Sequence, residues 1–177
     1  MIQIPIIFKQ FKPARLLCAI PSTSKQEKRQ HVTHVFIDSD GLAGSTNGHA
    51  AVMCDLSDLN PAPGWYKVAK STSSEVLLTP SGDQATRLMY NDGVWSWWTG
   101  FIPADAHQVP TGDGDTHEEK ISAALYHLAQ EQILINIKYI DLIYKHLDGP
   151  ETYAVDPISP VAFRAEGVCA VVMPIKI

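Results

Sequence analysis

The sequence predicts an α+β fold for this chain of 177 residues. Short β-rich runs bounded by Gly, Pro and Asp recur along the chain, whereas apolar residues at helical spacing occur in only a few segments. The order strand, helix, several strands occurs near the beginning and again near the end, which indicates an internal duplication. We predict one domain over residues 1–177, with approximate halves 1–57 and 131–177, antiparallel sheets, two helices and an inserted β-hairpin region at 58–130.

The first half begins with a strand and a helix and continues in extended segments. The predicted bounds are a strand at 2–8, a helix within 11–29, and extended segments at 31–38 and 42–54. Pro13 suits the first turn of the helix, where its missing N–H has no helical partner, and Pro21 should end the helix. Asp40-Gly41, between the two extended segments, is a strong signal for a hairpin turn.

The insert is rich in Pro, Gly, Ser and Thr, yet it contains strand signals. The predicted strands span 76–79, 86–90 and 94–99. Asn91-Asp92-Gly93 predicts a tight turn between the last two strands. Trp95 and Trp97 share one face of the last strand, and Trp98 lies on the other. We favour a local apolar core sealed by these aromatics, with contact to a partner as the alternative.

The insert ends in a predicted helix at 118–130, and the second half then repeats the order of the first. Its predicted bounds are a strand at 132–135, a helix from Asn136 to Gly149, and strands at 151–155, 160–165 and 168–175. Asn136 is a suitable N-cap and Gly149 a suitable helix end. The segments 36–53 and 163–173 share a Phe, an acidic-Gly turn and an Ala- and Val-rich strand with Met near its end, which supports the duplication.

The charge is unevenly distributed. The formal net charge of −5 argues against a chain that wraps nucleic acid with basic residues throughout. Six of the fourteen Lys and Arg residues nevertheless fall in the first thirty positions: Lys9, Lys12, Arg15, Lys25, Lys28 and Arg29. A solvated helix face is the favoured interpretation of this segment, and a phosphate-contacting face is the alternative.

The cysteines indicate a reducing compartment. Cys18, Cys54 and Cys169 lie in apolar runs, and no two of them have the CxxC spacing of a zinc or redox site. We expect small buried thiols and a cytoplasmic location. No apolar window reaches the length of a membrane span, so the sequence predicts no membrane segment.

No group of side chains predicts catalysis. Ser45 near His49 lacks the spacing of a nucleophile elbow and a third partner. His31 and His34 would point to opposite faces of the predicted strand, which does not suggest a shared metal ion. The acidic run 113–119 lacks the spacing of a calcium loop. We therefore predict a protein that is not an enzyme and has no metal site and no cofactor.

Four segments resemble bacterial sliding clamps, the β subunit of the replicative DNA polymerase. Residues 44–52 are similar to the Ala-Thr-Asp-Gly-His-Arg-Leu-Ala segment of that family, and residues 171–177 to its closing Val-Val-Met-Pro-Met-Arg-Leu. Residues 100–110 resemble its Phe-Pro linker, and residues 135–143 the start of one of its helices. The resemblance covers roughly half the chain and implies a clamp-like domain.

In that family the Gly-His loop and the Met-Pro strand form an apolar cleft that receives short peptides of polymerases and repair proteins. The resemblance implies a cleft with two walls: Thr46, Gly48, His49 and Ala51 on one side, and Val172, Met173 and Pro174 on the other. Met adapts to varied side chains, and Gly permits close approach of a backbone. The chain has Ala50 and Ala51 where the family has Arg and Leu after His, which removes a polar contact and widens the pocket.

The resemblance also implies contact with duplex DNA. The family closes a ring around DNA with its helices lining the hole, and one domain per chain would need about six copies as a homo-oligomer. The residues that would face phosphates, without regard to base sequence, are Lys25, Lys28, Arg29, Lys138 and Lys145. The alternative is a structural or regulatory protein, derived from a phage or mobile element, that keeps the fold, has lost DNA binding and uses its Trp-rich insert for another partner.

Overall fold

The computed structural model describes residues 5–9, 12–24, 26–81, 102–111 and 114–175. The chain divides into two compact units, Met1–Thr99 and Gly100–Ile177, called the first and second unit below. Their described residues contain ten strands and four helices, which confirms the α+β prediction. None of these helices is long and apolar enough to cross a membrane. The predicted bounds of the two halves and the insert stay predictions.

The described residues of the first unit contain six antiparallel strands. Its elements are β1 (Ile6–Lys9), α1 (Lys12–Ala19), α2 (Gln30–Thr33), β2 (Val35–Ile37), β3 (Leu42–Thr46), β4 (Ala50–Asp55), a 3₁₀ turn (Ser57–Leu59), β5 (Gly64–Ser71) and β6 (Glu75–Pro80). The strands lie in the order β1-β6-β5-β2-β3-β4. The β5–β6 hairpin therefore lies between the first strand and the β2–β3–β4 meander.

Helix α1 packs against strands β3 to β6 through one apolar face. Ala14, Leu16, Leu17 and Cys18 are buried, as the spacing of apolar residues in the sequence predicts. The Ser45 hydroxyl, fully buried on β3, donates a hydrogen bond to the Leu17 carbonyl over 2.6 Å and satisfies a carbonyl near the helix end. Trp65 on β5 lies against Phe36 on β2 with ring centroids 5.0 Å apart, inside the same core.

The second unit contains four antiparallel strands and two helices. Its elements are β7 (His107–Val109), α3 (His117–Gln130), α4 (Ile137–His146), β8 (Glu151–Ala154), β9 (Val161–Ala165) and β10 (Val168–Val172). The strands lie in the order β7-β8-β9-β10. Helix α3 contacts both α4 and β7, and α4 contacts β10. Ile140, Ile143 and Phe163 are fully buried in this core.

Both helices of the second unit begin as the sequence predicts. The Thr116 side chain accepts a hydrogen bond from the Glu119 N–H, and the Glu119 carboxylate accepts one from the Thr116 N–H, which completes a capping box at α3. The Asn136 side chain accepts from the Lys138 N–H at the start of α4, which confirms its role as N-cap.

Several sequence-based expectations are wrong in detail. Residues 31–33 are helical rather than extended, and the Thr33 hydroxyl donates to carbonyls of the preceding turn. Residues 132–135 form no strand: Gln132 has φ +62°, and the Ile133 N–H closes the end of α3 by bonding to Leu128. Strands β5 and β7 were not predicted at all, and the segment 42–54 is two strands rather than one. The predicted hairpin at 86–99, with Trp95, Trp97 and Trp98, lies outside the described residues.

The two units repeat the order strand, helix and three-strand meander. The two segments that suggested the repeat are not equivalent in the fold, however. Residues 36–53 run from β2 to β4, whereas residues 163–173 run from β9 to the end of β10. Their acidic-Gly turns therefore connect strands at different positions of the two meanders, and only the order of elements supports the repeat.

Candidate functional site

The Gly-His segment forms the tight turn between β3 and β4. The Asn47 side-chain oxygen accepts hydrogen bonds from the N–H groups of His49 and Ala50, both over 3.0 Å. Gly48 has φ +87°, a backbone angle that residues other than Gly adopt only at an energetic cost. A Cβ at this position would meet nothing within 4 Å. The backbone conformation of the turn, and not crowding, therefore explains the glycine.

The turn presents some of its predicted contact residues and hides others. Gly48 and His49 are exposed. The Thr46 hydroxyl donates to the Ala50 carbonyl over 2.9 Å and accepts from the Gly48 N–H over 3.1 Å, so it is engaged in holding the turn. Ala51 is buried and offers little surface to a ligand.

The Met-Pro segment directly follows β10. Val172 is fully buried, whereas Met173 is 42% exposed and Pro174 is half-buried. Met173 is therefore the residue of the predicted second wall that presents apolar surface.

Three further apolar residues of the second unit are exposed in the two segments that a backbone hydrogen bond joins next to Met173. The Ile175 N–H donates to the Leu134 carbonyl over 2.7 Å, which brings the end of the chain beside the loop before α4. Ile175 is 51% exposed, Leu134 40% and Ile137, at the first position of α4, 60%. Ile133 and Ile135, on either side of Leu134, are buried, and no pattern in the sequence distinguishes Leu134 from them. We call Met173, Ile175, Leu134 and Ile137 the apolar surface of the second unit.

The two predicted walls belong to different units. Thr46, Gly48, His49 and Ala51 lie in the first unit, and Val172, Met173 and Pro174 in the second. A cleft that joins them stays a prediction.

The predicted DNA-facing residues of the first unit are only partly available. Lys25 lies outside the described residues, and Lys28 is exposed. Arg29 donates two side-chain hydrogen bonds to Glu27, the shorter over 2.7 Å. These hydrogen bonds lower the pKa of the Glu27 carboxyl to about 2. The positive charge of Arg29 is therefore balanced by its neighbour.

The predicted DNA-facing residues of the second unit share a helix face with an acid. Lys138 and Lys145 are exposed on α4 two turns apart, and Asp141 lies between them on the same face. Asp141 also contacts the His117 imidazole over 3.3 Å.

The two units differ strongly in charge. Residues 1–99 contain nine Lys and Arg against eight Asp and Glu, a net charge of +1. Residues 100–177 contain five Lys and Arg against eleven Asp and Glu, a net charge of −6. The negative net charge of the chain therefore comes from the second unit.

The described residues offer no arrangement typical of catalysis. Burial raises the pKa of both the Cys18 and Cys54 thiols to about 12, so neither is a thiolate at neutral pH. The Ser45 hydroxyl is occupied by its hydrogen bond to α1. Within the same residues, no group of three His, Cys, Asp or Glu side chains could hold a metal ion.

No protein-family model matches the sequence, and no curated protein matches it. Solved structures do match. The beta chain of DNA polymerase III from Streptococcus pneumoniae aligns with 100% of this chain and 66% of its own, at 13% identity and a TM-score of 0.58. The beta subunit from Pseudomonas aeruginosa aligns with 99% of this chain and 67% of its own, at 11% identity and a TM-score of 0.56. The chain has the fold of the bacterial sliding clamps.

A third clamp, from Bacillus subtilis, gives 14% identity and a TM-score of 0.53, over 99% of this chain and 65% of the clamp. The chain thus spans about two thirds of the length of the sliding clamps it resembles. Sequence identity at this level supports the fold and leaves the activity to be argued from the residues.

Proposed function

We propose that this protein is a clamp-like, non-enzymatic platform that binds short peptide segments of replication or repair proteins. The observation that carries the proposal is the apolar surface of the second unit, which includes the exposed Met173 of the closing Met-Pro segment. The sliding-clamp fold and the exposed Gly48-His49 turn support it. In this proposal the turn and the apolar surface provide the two walls of one cleft.

The chemistry of the surface suits an apolar peptide. Full burial of a large aliphatic or Met side chain stabilises a complex by about 1.5–3 kcal/mol before the costs of association. Four partly exposed side chains, together with those of the peptide, are enough for micromolar affinity, about −8 kcal/mol. Met173 is unbranched and polarisable, so it adapts to peptides of different sequence. Ala50 and Ala51, in place of the larger family residues, leave more room beside the turn.

Calorimetric titration with a peptide that carries a Gln followed by apolar residues tests the proposal. We expect micromolar affinity for the wild type and no measurable binding for Met173→Asp, because a carboxylate in the cleft would lose its hydration. Ile158→Asp is the matched control, since Ile158 is 71% exposed on the β8–β9 loop of the same unit. Absence of binding by the wild type, or equal loss in both variants, contradicts the proposal.

The proposal extends to duplex DNA, contacted without sequence preference by a homo-oligomer. Lys25, Lys28, Arg29, Lys138 and Lys145 are the contacts that the resemblance to clamps suggests. Multiplying these charges over several copies would offset the acidic remainder of each chain. Sedimentation velocity gives the number of copies, and a hexamer-sized species is the expected result for a ring.

The charge distribution favours a second candidate function, a clamp-fold structural or regulatory protein without DNA binding. The second unit has a net charge of −6, and both groups of predicted DNA-facing residues have acidic neighbours in Glu27 and Asp141. The Trp-rich segment would then contact another partner. A stable monomer without salt-sensitive DNA affinity would favour this candidate over a ring.

A further inference from the structure

Positive charge is concentrated around the β5–β6 hairpin of the first unit. Within the described residues of β1, α1 and this hairpin, Glu75 is the one acidic side chain. The same elements carry five basic residues: Lys9, Lys12, Arg15, Lys67 and Lys70. This part of the chain is basic although the whole protein has a net charge of −5.

Three of these basic residues converge on the hairpin tip. Lys9 lies opposite Glu75 in the β1–β6 pair, and the Lys70 Nζ lies 2.9 Å from the Glu75 Oε1. The Arg15 guanidinium donates a hydrogen bond from α1 to the Ser73 carbonyl. The Glu75 carboxylate thus lies beside Lys9 of β1 and Lys70 of β5, and Arg15 of α1 reaches the same tip through Ser73, so among the described residues the tip has three cations for one acid. We call Lys9, Arg15, Lys70 and the tip residues 72–75 the hairpin end.

Four acids of the first unit lie at the opposite end of the sheet. Ile37 pairs with Gly64 at the start of β5, and Leu42 pairs with Asp55, which brings four carboxylates to that end: Asp38, Asp40, Asp55 and Asp58. Strand β5 runs from there to Ser71 at the hairpin end over roughly 20 Å. That distance exceeds the screening length at physiological salt, about 8 Å, so the carboxylates do not neutralise the hairpin end.

The hairpin end has the chemistry of a phosphate-binding surface. Thr72, Ser73 and Ser74 are exposed beside the cations, and hydroxyl, Lys and Arg groups are the usual donors to phosphate oxygens. The nucleic-acid part of the proposed function concerns duplex DNA, so a duplex is the ligand considered for this surface.

We propose that the hairpin end contacts the phosphate backbone of duplex nucleic acid. The proposal rests on the nucleic-acid part of the proposed function and goes beyond it by placing the contact outside the predicted DNA-facing residues. Among the predicted residues, Arg29 pairs with Glu27, and Lys138 and Lys145 share a helix face with Asp141. Within the described residues of the hairpin end, Glu75 is the one acid beside Lys9 and Lys70. Such a contact is independent of base sequence and weakens with salt as condensed counterions are released.

Fluorescence anisotropy of a short labelled duplex, titrated with the full chain at several salt concentrations, tests the proposal. We expect Lys9→Gln/Lys70→Gln to reduce the slope of log affinity against log salt by about 2, one for each phosphate that is no longer neutralised by a lysine. Lys138→Gln/Lys145→Gln removes the same charge from exposed lysines of α4, which the proposed function names as DNA contacts, and measures their share of the salt slope separately. Glu75→Gln, which frees Lys70 from its ion pair, should tighten binding.

The possible outcomes separate this inference from the proposed function. An unchanged salt slope in the hairpin variant would overturn the inference, and a reduced slope in the Lys138 and Lys145 variant alone would support the helix contacts instead. A reduced slope in both variants supports both sets of contacts, whereas tighter binding of a single strand than of the duplex overturns the inference. No binding of duplex by the wild type overturns it together with the nucleic-acid part of the proposed function. Peptide titration of the hairpin variant should match the wild type, which shows that the variant is folded and that the two sites are separate.

Discussion

The two units build the same meander beside different neighbours. In the second unit β7 pairs directly with β8, the first strand of its meander. In the first unit β5 and β6 occupy the space between β1 and β2. An antiparallel hairpin adds two strands, so the strands on either side of it keep their relative direction. Such a sheet can therefore gain a hairpin between two strands while those two strands keep their directions.

The same hairpin also contributes to the difference in net charge between the two units. It adds Lys67 and Lys70 to the first unit, with Lys70 paired to the Glu75 that lies opposite Lys9, whereas the second unit has more than two acids for each basic residue. The two proposals accordingly place phosphate contact in the first unit and peptide contact in the second.

The largest effect is expected from Leu78→Ala in the inserted hairpin. Leu78 is fully buried and pairs with both Ile6 and Val68. If the hairpin is part of the first unit's core, the substitution lowers the free energy of unfolding by about 2–5 kcal/mol. Urea denaturation measures the change. Leu77→Ala, on the opposite face of β6 and only half-buried, is the control, with an expected loss of about 1 kcal/mol or less. Equal small effects would show that the hairpin is an appendage.

A smaller effect is expected from Thr116→Ala in the second unit. The substitution removes the side chain that accepts the Glu119 N–H in the capping box, so the free energy of unfolding should fall by about 1 kcal/mol. Thr116→Ser retains the hydroxyl and should be close to wild type. Identical stability of the Ala and Ser variants would contradict the role of the cap.

The smallest effect concerns pH and the first unit. Burial, followed by the charge of Lys67, lowers the pKa of His34 below 6.5. The folded state therefore favours the neutral imidazole, and its contribution to stability is present above pH 6.5 and is lost as the pH falls through the folded-state pKa. The urea midpoint should fall less between pH 7.5 and pH 5.5 in His34→Gln than in the wild type. An equal fall of the urea midpoint in both proteins would show that His34 does not cause the pH dependence of stability.

The sequence predicted elements whose signals are local. The N-cap at Asn136, the start and end of α1 and the Asp40-Gly41 turn each depend on a few adjacent residues. Strand β5 was missed because its exposed Lys67 and Lys70 interrupt the apolar pattern, and its stability comes from pairing with β2 and β6. Residues 31–33 were misassigned because their β-rich composition is outweighed by local hydrogen bonds.

The candidate site was predicted only in part because some of its residues come together only when distant segments of the chain pair. Exposure of Gly48, His49 and Met173 follows from a turn and a chain segment beyond a strand, which the sequence indicates directly. Leu134 and Ile137 join Ile175 through a hydrogen bond between segments forty-one positions apart, which no local pattern indicates. The convergence of Lys9, Arg15 and Lys70 likewise depends on strand pairing.

The separation of carboxylates and cations along β5 gives the first unit an electric dipole moment. In the field of a polyanion, a molecule with such a moment is turned before any contact forms, with its positive pole leading. Encounters would then begin in the productive orientation, and their rate would depend on ionic strength more steeply than that of a protein with the same net charge spread evenly.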